Sequence, residues 1–189
     1  MVKDMKDEKD FLWQILTADN VTESVCANLD TLLKVVPEIS PMIGFEHKNL
    51  NHHLDVWQHT LCALGLSKKE FDVRLILLLH DIGKPFSYQE ENGTRHFKNH
   101  QEKSAQIARV ILKRLGYKNE YMNYICKIVA RHDIPLTKYE ITSNPNLSRV
   151  VFEVQRCDAL AHNPAKNAKR LKYIDQTTKL FNETQIFWA

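Results

Sequence analysis

Five apolar residues in a row, Leu75-Ile76-Leu77-Leu78-Leu79, deliver His80 and Asp81 and then stop at Ile82-Gly83-Lys84-Pro85. A stretch that is apolar on every side reads as a core helix, so the two polar residues leave the interior rather than the surface. An imidazole nitrogen and a carboxylate oxygen side by side at that exit can both point at one cation. The pair suits a divalent metal of intermediate hardness. Gly83 is expected to make the left-handed turn that closes the helix, and Pro85 to prevent its resumption.

Helical periodicity runs through the rest of the chain, with only five glycines and few alternating β-branched runs to suggest strands. Phe11, Leu12, Ile15 and Leu16 predict a short helix. Asn20 and Glu23 read as a capping box for a second helix carrying Val25, Leu29, Leu32, Leu33 and Val36 up to Pro37. Residues 37–53, rich in Pro, Asn and His, read as a loop. A helix over 55–66 puts Val56, His59 and Cys62 on one face, so His59 faces inward. Ser67 and Glu70 read as the capping box of the helix that ends in the doublet. A hairpin is expected around Asn92-Gly93. Asn99 and Glu102 suggest a third box, which sets His100 in the first turn of a helix running to Gly116. Asn119 opens a helix ending near His132, and after a polar loop Leu147 to Ala161 forms another, bearing Asp158. Asn163-Pro164 opens the last one. The expectation is an all-α bundle with short loops, folded as one domain over residues 1–189, because a chain of 189 residues supports one sizeable core.

Composition narrows the function classes. A net charge of +3 permits an anionic partner without requiring one. Cys26, Cys62, Cys126 and Cys157 are scattered singly, with no CxxC pair, which fits small apolar residues in a reducing compartment. No apolar stretch approaches the roughly 20 residues of a membrane span. The start, from Met1 to Glu8, mixes acids and bases and lacks the apolar region of a secretory signal. A cytoplasmic location is therefore expected.

Nine histidines supply many candidate ligands. His59 lies one helix before the doublet, and a short turn near Ser67 can bring the three together. Asp158 lies in a mostly apolar helix, where a core-facing carboxylate needs a cation or hydrogen-bond donors to stay ionised. His59, His80-Asp81 and Asp158, in that order on successive helices, resemble the H…HD…D signature of the HD-domain superfamily of metal-dependent phosphohydrolases. The strings Asn51-His52-His53-Leu54-Asp55-Val56-Trp57-Gln58-His59-Thr60-Leu61 and His80-Asp81-Ile82-Gly83-Lys84-Pro85 are similar to the HD domain of bacterial CCA-adding tRNA nucleotidyltransferases. The similarity spans about residues 53–158.

The resemblance implies an HD-domain helical bundle whose divalent metal is held by His59, His80, Asp81 and Asp158. It also brings in His100 and His132, as ligands of a second metal or as binders of substrate phosphate. Mg, Mn, Fe, Co, Ni and Zn all suit such donors. No Gly-rich loop with a paired-Asp motif occurs, and only 58 residues precede His59, so nucleotide addition to tRNA is not expected. The implied activity is hydrolysis of a small phosphorylated substrate, a nucleotide above all, as a phosphodiesterase or phosphatase. Asp81 would also orient the attacking water, Lys84 would meet phosphate, and Arg131 is a weaker phosphate candidate. Asp55 reads as a helix-start or supporting residue. The competing reading is a regulatory or RNA-associated domain that keeps the metal without turnover. Lys166, Lys169, Arg170 and Lys172 read as a solvated helix face.

Overall fold

The apolar run is the inner part of the helix Phe71–Leu79, whose residues from Val73 to Leu79 are all buried. The computed structural model describes residues 5–186, so residues 1–4 of the mixed-charge start lie outside it. Its described residues form ten α-helices and one two-stranded hairpin, an all-α bundle as expected. In chain order the helices are α1 (Met5–Leu16), α2 (Val21–Ala27), α3 (Leu29–Val35), α4 (Val56–Gly65), α5 (Phe71–Leu79), α6 (His100–Arg114), α7 (Asn119–Val129), α8 (Lys138–Ser143), α9 (Pro145–Ala161) and α10 (Ala168–Ile186). The strands β1 (Gln89–Glu91) and β2 (Thr94–His96) pair antiparallel between α5 and α6, around the expected Asn92-Gly93 turn.

Helix α5 touches α1, α4, α6, α7 and α9, which explains why it has no polar face. The one charge among its buried residues, Arg74, is satisfied. The guanidinium Nη1 donates to the Leu16 and Ala18 carbonyls, each at 2.8 Å, closing the end of α1 against the central helix. With the N-terminal part of α5 fixed this way, its C-terminal end carries His80 and Asp81.

Gly83 differs from the expectation. Its φ is −83°, a right-handed conformation open to any residue. The glycine is required by close approach instead: a Cβ there would lie 2.5 Å from Ser104 N and 2.7 Å from His100 O. The first turns of α6 therefore press directly on the turn after the doublet. The Gly83 N–H donates to Ser104 Oγ at 2.9 Å across the same contact.

Several helix starts also differ. The helix expected from Asn20 to Pro37 divides into α2 and α3 at Asn28, whose side-chain amide donates to Ser24 O (2.9 Å) and competes for the last turn of α2. Asn20 caps α2 as expected, accepting from the Glu23 N–H. The Ser67 box does not form, because Ser67 Oγ donates to Leu64 O and Glu70 receives both arms of Arg149 at 2.9 Å. Nor does the Asn99 box, since Asn99 sits at φ 57° and makes no side-chain cap. Two other boxes do form, Asp55 with Gln58 at α4 and Thr137 with Glu140 at α8, a helix inside the expected polar loop. Helix α7 stops at Val129, which leaves His132 on a turn. Pro164 opens a 3-10 turn, and α10 begins only at Ala168. Residues 37–42 of the expected loop form another 3-10 turn.

All four cysteines are free. Cys126 and Cys157 are buried and Cys62 half-buried, whereas Cys26 is exposed rather than in the core. Among the described residues no helix is long and apolar enough to cross a membrane.

Candidate metal centre

Four side chains from three helical segments meet on one side of α5: His59 from α4, His80 and Asp81 from the end of α5, and Asp158 from α9. One donor atom from each lies within 4.8 Å of all the others, close enough to share one ion. His59 Nε2 is 2.9 Å from Asp158 Oδ1 and 3.7 Å from Asp81 Oδ2. His80 Nε2 is 3.2 Å from Asp81 Oδ2 and 3.7 Å from Asp158 Oδ1. None of the four is more than 3% exposed.

The backbone orients these rings. His80 Nδ1 donates to Leu77 O at 2.7 Å and His59 Nδ1 to Ala161 O at 3.3 Å. A carbonyl only accepts, so Nδ1 carries the hydrogen and the Nε2 lone pair turns toward the carboxylates. Lone pairs facing carboxylate oxygens require a proton or a cation between them. His80 Nε2 and both Asp81 oxygens are buried and have no hydrogen-bond partner. The donor set and its orphaned atoms therefore fit a divalent cation.

Electrostatics agree. Burial opposes ionisation of Asp81, but His80 and Lys84 hold its carboxyl well below the usual range. Burial likewise opposes ionisation of Asp158, and His162, His59 and His80 outweigh it. For His80, burial disfavours the imidazolium, yet Asp81 and Asp158 raise its pKa to about 10. With both carboxylates charged, a positive charge at His80 is favoured in the metal-free protein.

Asp81 also faces a second group. Its Oδ1 is 3.4 Å from His100 Nε2 and 3.6 Å from His132 Nε2, and these three could likewise share an ion. His100 Nδ1 donates to Phe97 O and His132 Nδ1 to Val129 O, the same anchoring as in the first group. Burial and the charge of His80 push the His132 pKa down to about 4.

The centre opens into a cleft of about 1100 Å³, lined among others by Asp81, Lys84, His100, His132 and Asp158. Lys84 Nζ stands 2.7 Å from Asp81 Oδ2 and is only 4% exposed. Arg131 is not brought to the cleft. It pairs with Glu140 Oε1 at 2.5 Å, on the side of α8. Asp55 is the N-cap of α4.

Three neighbours had escaped the sequence reading. Arg170, from the basic stretch read as solvated, lines the cleft with Nη1 3.6 Å from Asp158 Oδ2. His162 lies one turn after Asp158, and its Nδ1 donates to Asp158 O at 2.7 Å. His47, from the loop before α4, is 2% exposed and its Nε2 is 3.0 Å from Lys84 Nζ. The spacing of four between Asp158 and His162 was a usable signal, because it puts both on one helical face. Nothing local marked His47 or Arg170.

The HD domain family profile matches residues 49–177, spanning both clusters. The chain belongs to the HD domain family. Two curated relatives carry the same resemblance that the motifs suggested. The CC-adding tRNA nucleotidyltransferase of Thermus thermophilus is 34% identical over 104 residues, which are 51% of this chain and 24% of that protein. The A-adding tRNA nucleotidyltransferase of Deinococcus radiodurans is 35% identical over 92 residues, 45% of this chain and 21% of that protein. This chain thus spans a quarter or less of those relatives within the matched region.

Proposed function

We propose that this HD domain is a metal-dependent phosphohydrolase acting on a small phosphorylated substrate of the nucleotide class. The observation that carries the reading is the buried set His59, His80, Asp81 and Asp158, whose donor atoms, those of His80 and Asp81 without hydrogen-bond partners, converge beside the cation Lys84 at the floor of an open cleft. These four residues would hold one divalent ion. His100 and His132, with Asp81, would hold a second or meet the substrate phosphate.

A bound divalent ion lowers the pKa of water toward neutrality and offsets charge on phosphoryl oxygens. The protein's own residues do the rest. Asp81, with one oxygen toward His59 and His80 and the other toward His100 and His132, holds a hydrogen-bond acceptor where an attacking water is aligned. Lys84 and Arg170 place fixed positive charge next to the two carboxylates, where a phosphate would otherwise be repelled. The half-buried Phe97 offers an apolar face on the same cleft for the organic part of the ester.

Elemental analysis, together with assays of a generic phosphodiester and phosphomonoester across Mg, Mn, Co and Ni, tests the reading. Bound metal with metal-dependent turnover is expected. Bound metal without turnover on either ester would favour a second reading, an RNA-associated domain, for which the names of the two tRNA-modifying relatives speak. Salt-dependent binding of tRNA by the same protein would then be the deciding measurement.

A further inference from the structure

We infer that His47 positions Lys84, making its ammonium a directed hydrogen-bond donor to the phosphoryl group of the substrate. The inference rests on the phosphohydrolase reading and adds to it a residue outside the H…HD…D pattern. His47 belongs to the segment between the 3-10 turn 37–42 and α4, 37 residues before Lys84. Its Nδ1 donates to Leu54 O at 2.9 Å, so the Nε2 lone pair is free. That lone pair faces Lys84 Nζ at 3.0 Å, and the same Nζ is 2.7 Å from Asp81 Oδ2.

An ammonium has three N–H bonds. His47 accepts one, the Asp81 carboxylate pairs with the ammonium charge at 2.7 Å, and Lys84 lines the cleft, so donor capacity is left for a ligand there. The Phe97 ring, 5.5 Å from Nζ, covers the ammonium from another side. Held by Asp81 alone, a flexible lysine would pivot about one contact; a second, neutral acceptor fixes its direction.

His47 is itself held rigidly. Its ring stacks on His52 with centroids 3.6 Å apart and planes 3° from parallel. The segment is closed by the Val56 N–H donating to Phe45 O at 3.0 Å and by the Glu46–Asp55 bridge. A residue needed only for packing would not require a lone pair aimed at a buried ammonium.

The test uses the Mn-loaded full chain and a double-mutant cycle. His47→Phe keeps a ring against His52 and removes the acceptor, and His47→Gln restores one; His47→Leu serves as the acceptor-free variant if the phenyl ring prevents folding. Two readouts are taken: kcat and KM on p-nitrophenyl phosphate and bis(p-nitrophenyl) phosphate, and affinity for inorganic phosphate by calorimetry. His47→Phe should keep its Mn, lose roughly 10-fold in kcat and in phosphate affinity, and be largely rescued by Gln. In a Lys84→Met background the same change should alter neither readout by more than about twofold.

Equal losses in the presence and absence of Lys84, or no loss at all, would overturn the positioning role. If the wild-type protein hydrolyses neither ester, the phosphohydrolase reading fails, but the phosphate-affinity cycle still decides. Coupled losses there support His47 as the positioning residue, whereas additive losses or no phosphate binding by the wild type refute it.

Discussion

The floor and the rim of the cleft are built on different physics. On the floor, His59, His80, Asp81 and Asp158 are delivered by packed helices, are nearly inaccessible, and have their rings set by backbone carbonyls. At the rim, every residue of β1 is exposed, and the hairpin is tied down by surface contacts. Lys48 pairs with Glu90 at 3.2 Å, and the Arg95 guanidinium lies 4.4 Å from the centre of the Phe45 ring and 4.9 Å from that of Tyr88. Buried charges cost much when a partner is lost, whereas exposed pairs contribute little. The floor should therefore control metal and chemistry, and the rim the entry and fit of substrate.

The largest break in that contrast is Asp81→Asn. Removing the carboxylate shared by both clusters should abolish bound metal and lower turnover by at least about 1,000-fold. Elemental analysis and ester assays read both, and a variant that kept metal and rate would refute the floor's role.

Acidification comes next. Burial holds His162 at about 4 and, with the help of Lys84, His47 at about 2, so between those values and about 6.5 the unfolded chain binds more protons than the folded one. Stability of the metal-free protein should fall as pH drops from about 6.5 toward 4, by up to about 3 kcal/mol from His162 alone. His80 acts in the opposite window. Its folded pKa is raised to about 10, so its contribution is complete below about 6.5 and is lost as pH rises through about 10. Urea midpoints should peak near pH 6.5, and saturating divalent metal, which competes with the His80 proton, should flatten the alkaline limb. A flat profile without metal would contradict this account.

Gly83→Ala probes the joint between floor and α6. The added methyl would meet backbone at 2.5 and 2.7 Å, which cannot yield as a side-chain tip would, and about 1–3 kcal/mol of stability should be lost. If the glycine instead served a left-handed turn, the crystal structure of the variant would show the strain at Gly83's own φ rather than a displaced α6.

The smallest effect belongs to the rim. Arg95→Ala removes the ring contacts and a donor to Glu46 O, yet should cost only about 1 kcal/mol in urea unfolding. KM for a phosphoester should change a few-fold and kcat stay within about twofold. A large fall in kcat would show that the hairpin reaches the chemistry.

The legible and illegible parts of this site follow the same division. His80-Asp81 could be read because the preceding apolar run has a meaning by itself, and His59 because its helix face was plain. Asp158 stood out as a carboxylate in an apolar helix. Gly83 was noticed for the wrong reason: a one-dimensional pattern suggests a helix stop, but the crowding comes from Ser104, 21 residues away. The misread capping boxes at Ser67 and Asn99 have a similar origin, since Glu70 was taken by Arg149 from α9 and Asn99 adopted a left-handed backbone.

The helical class, the central apolar helix, the H…HD…D signature and the family could all be read from the chain alone, because periodicity and motif spacing are properties of one strand of text. The tertiary structure alone decided that His47 faces Lys84, that Arg170 reaches Asp158 while Arg131 turns away to Glu140, and that α6 needs Gly83. Each of those contacts joins side chains from different segments, such as His47 and Lys84, 37 positions apart, and depends on where the packed helices set them. Local pattern limits which faces are buried, and only the packing of those faces selects the partners.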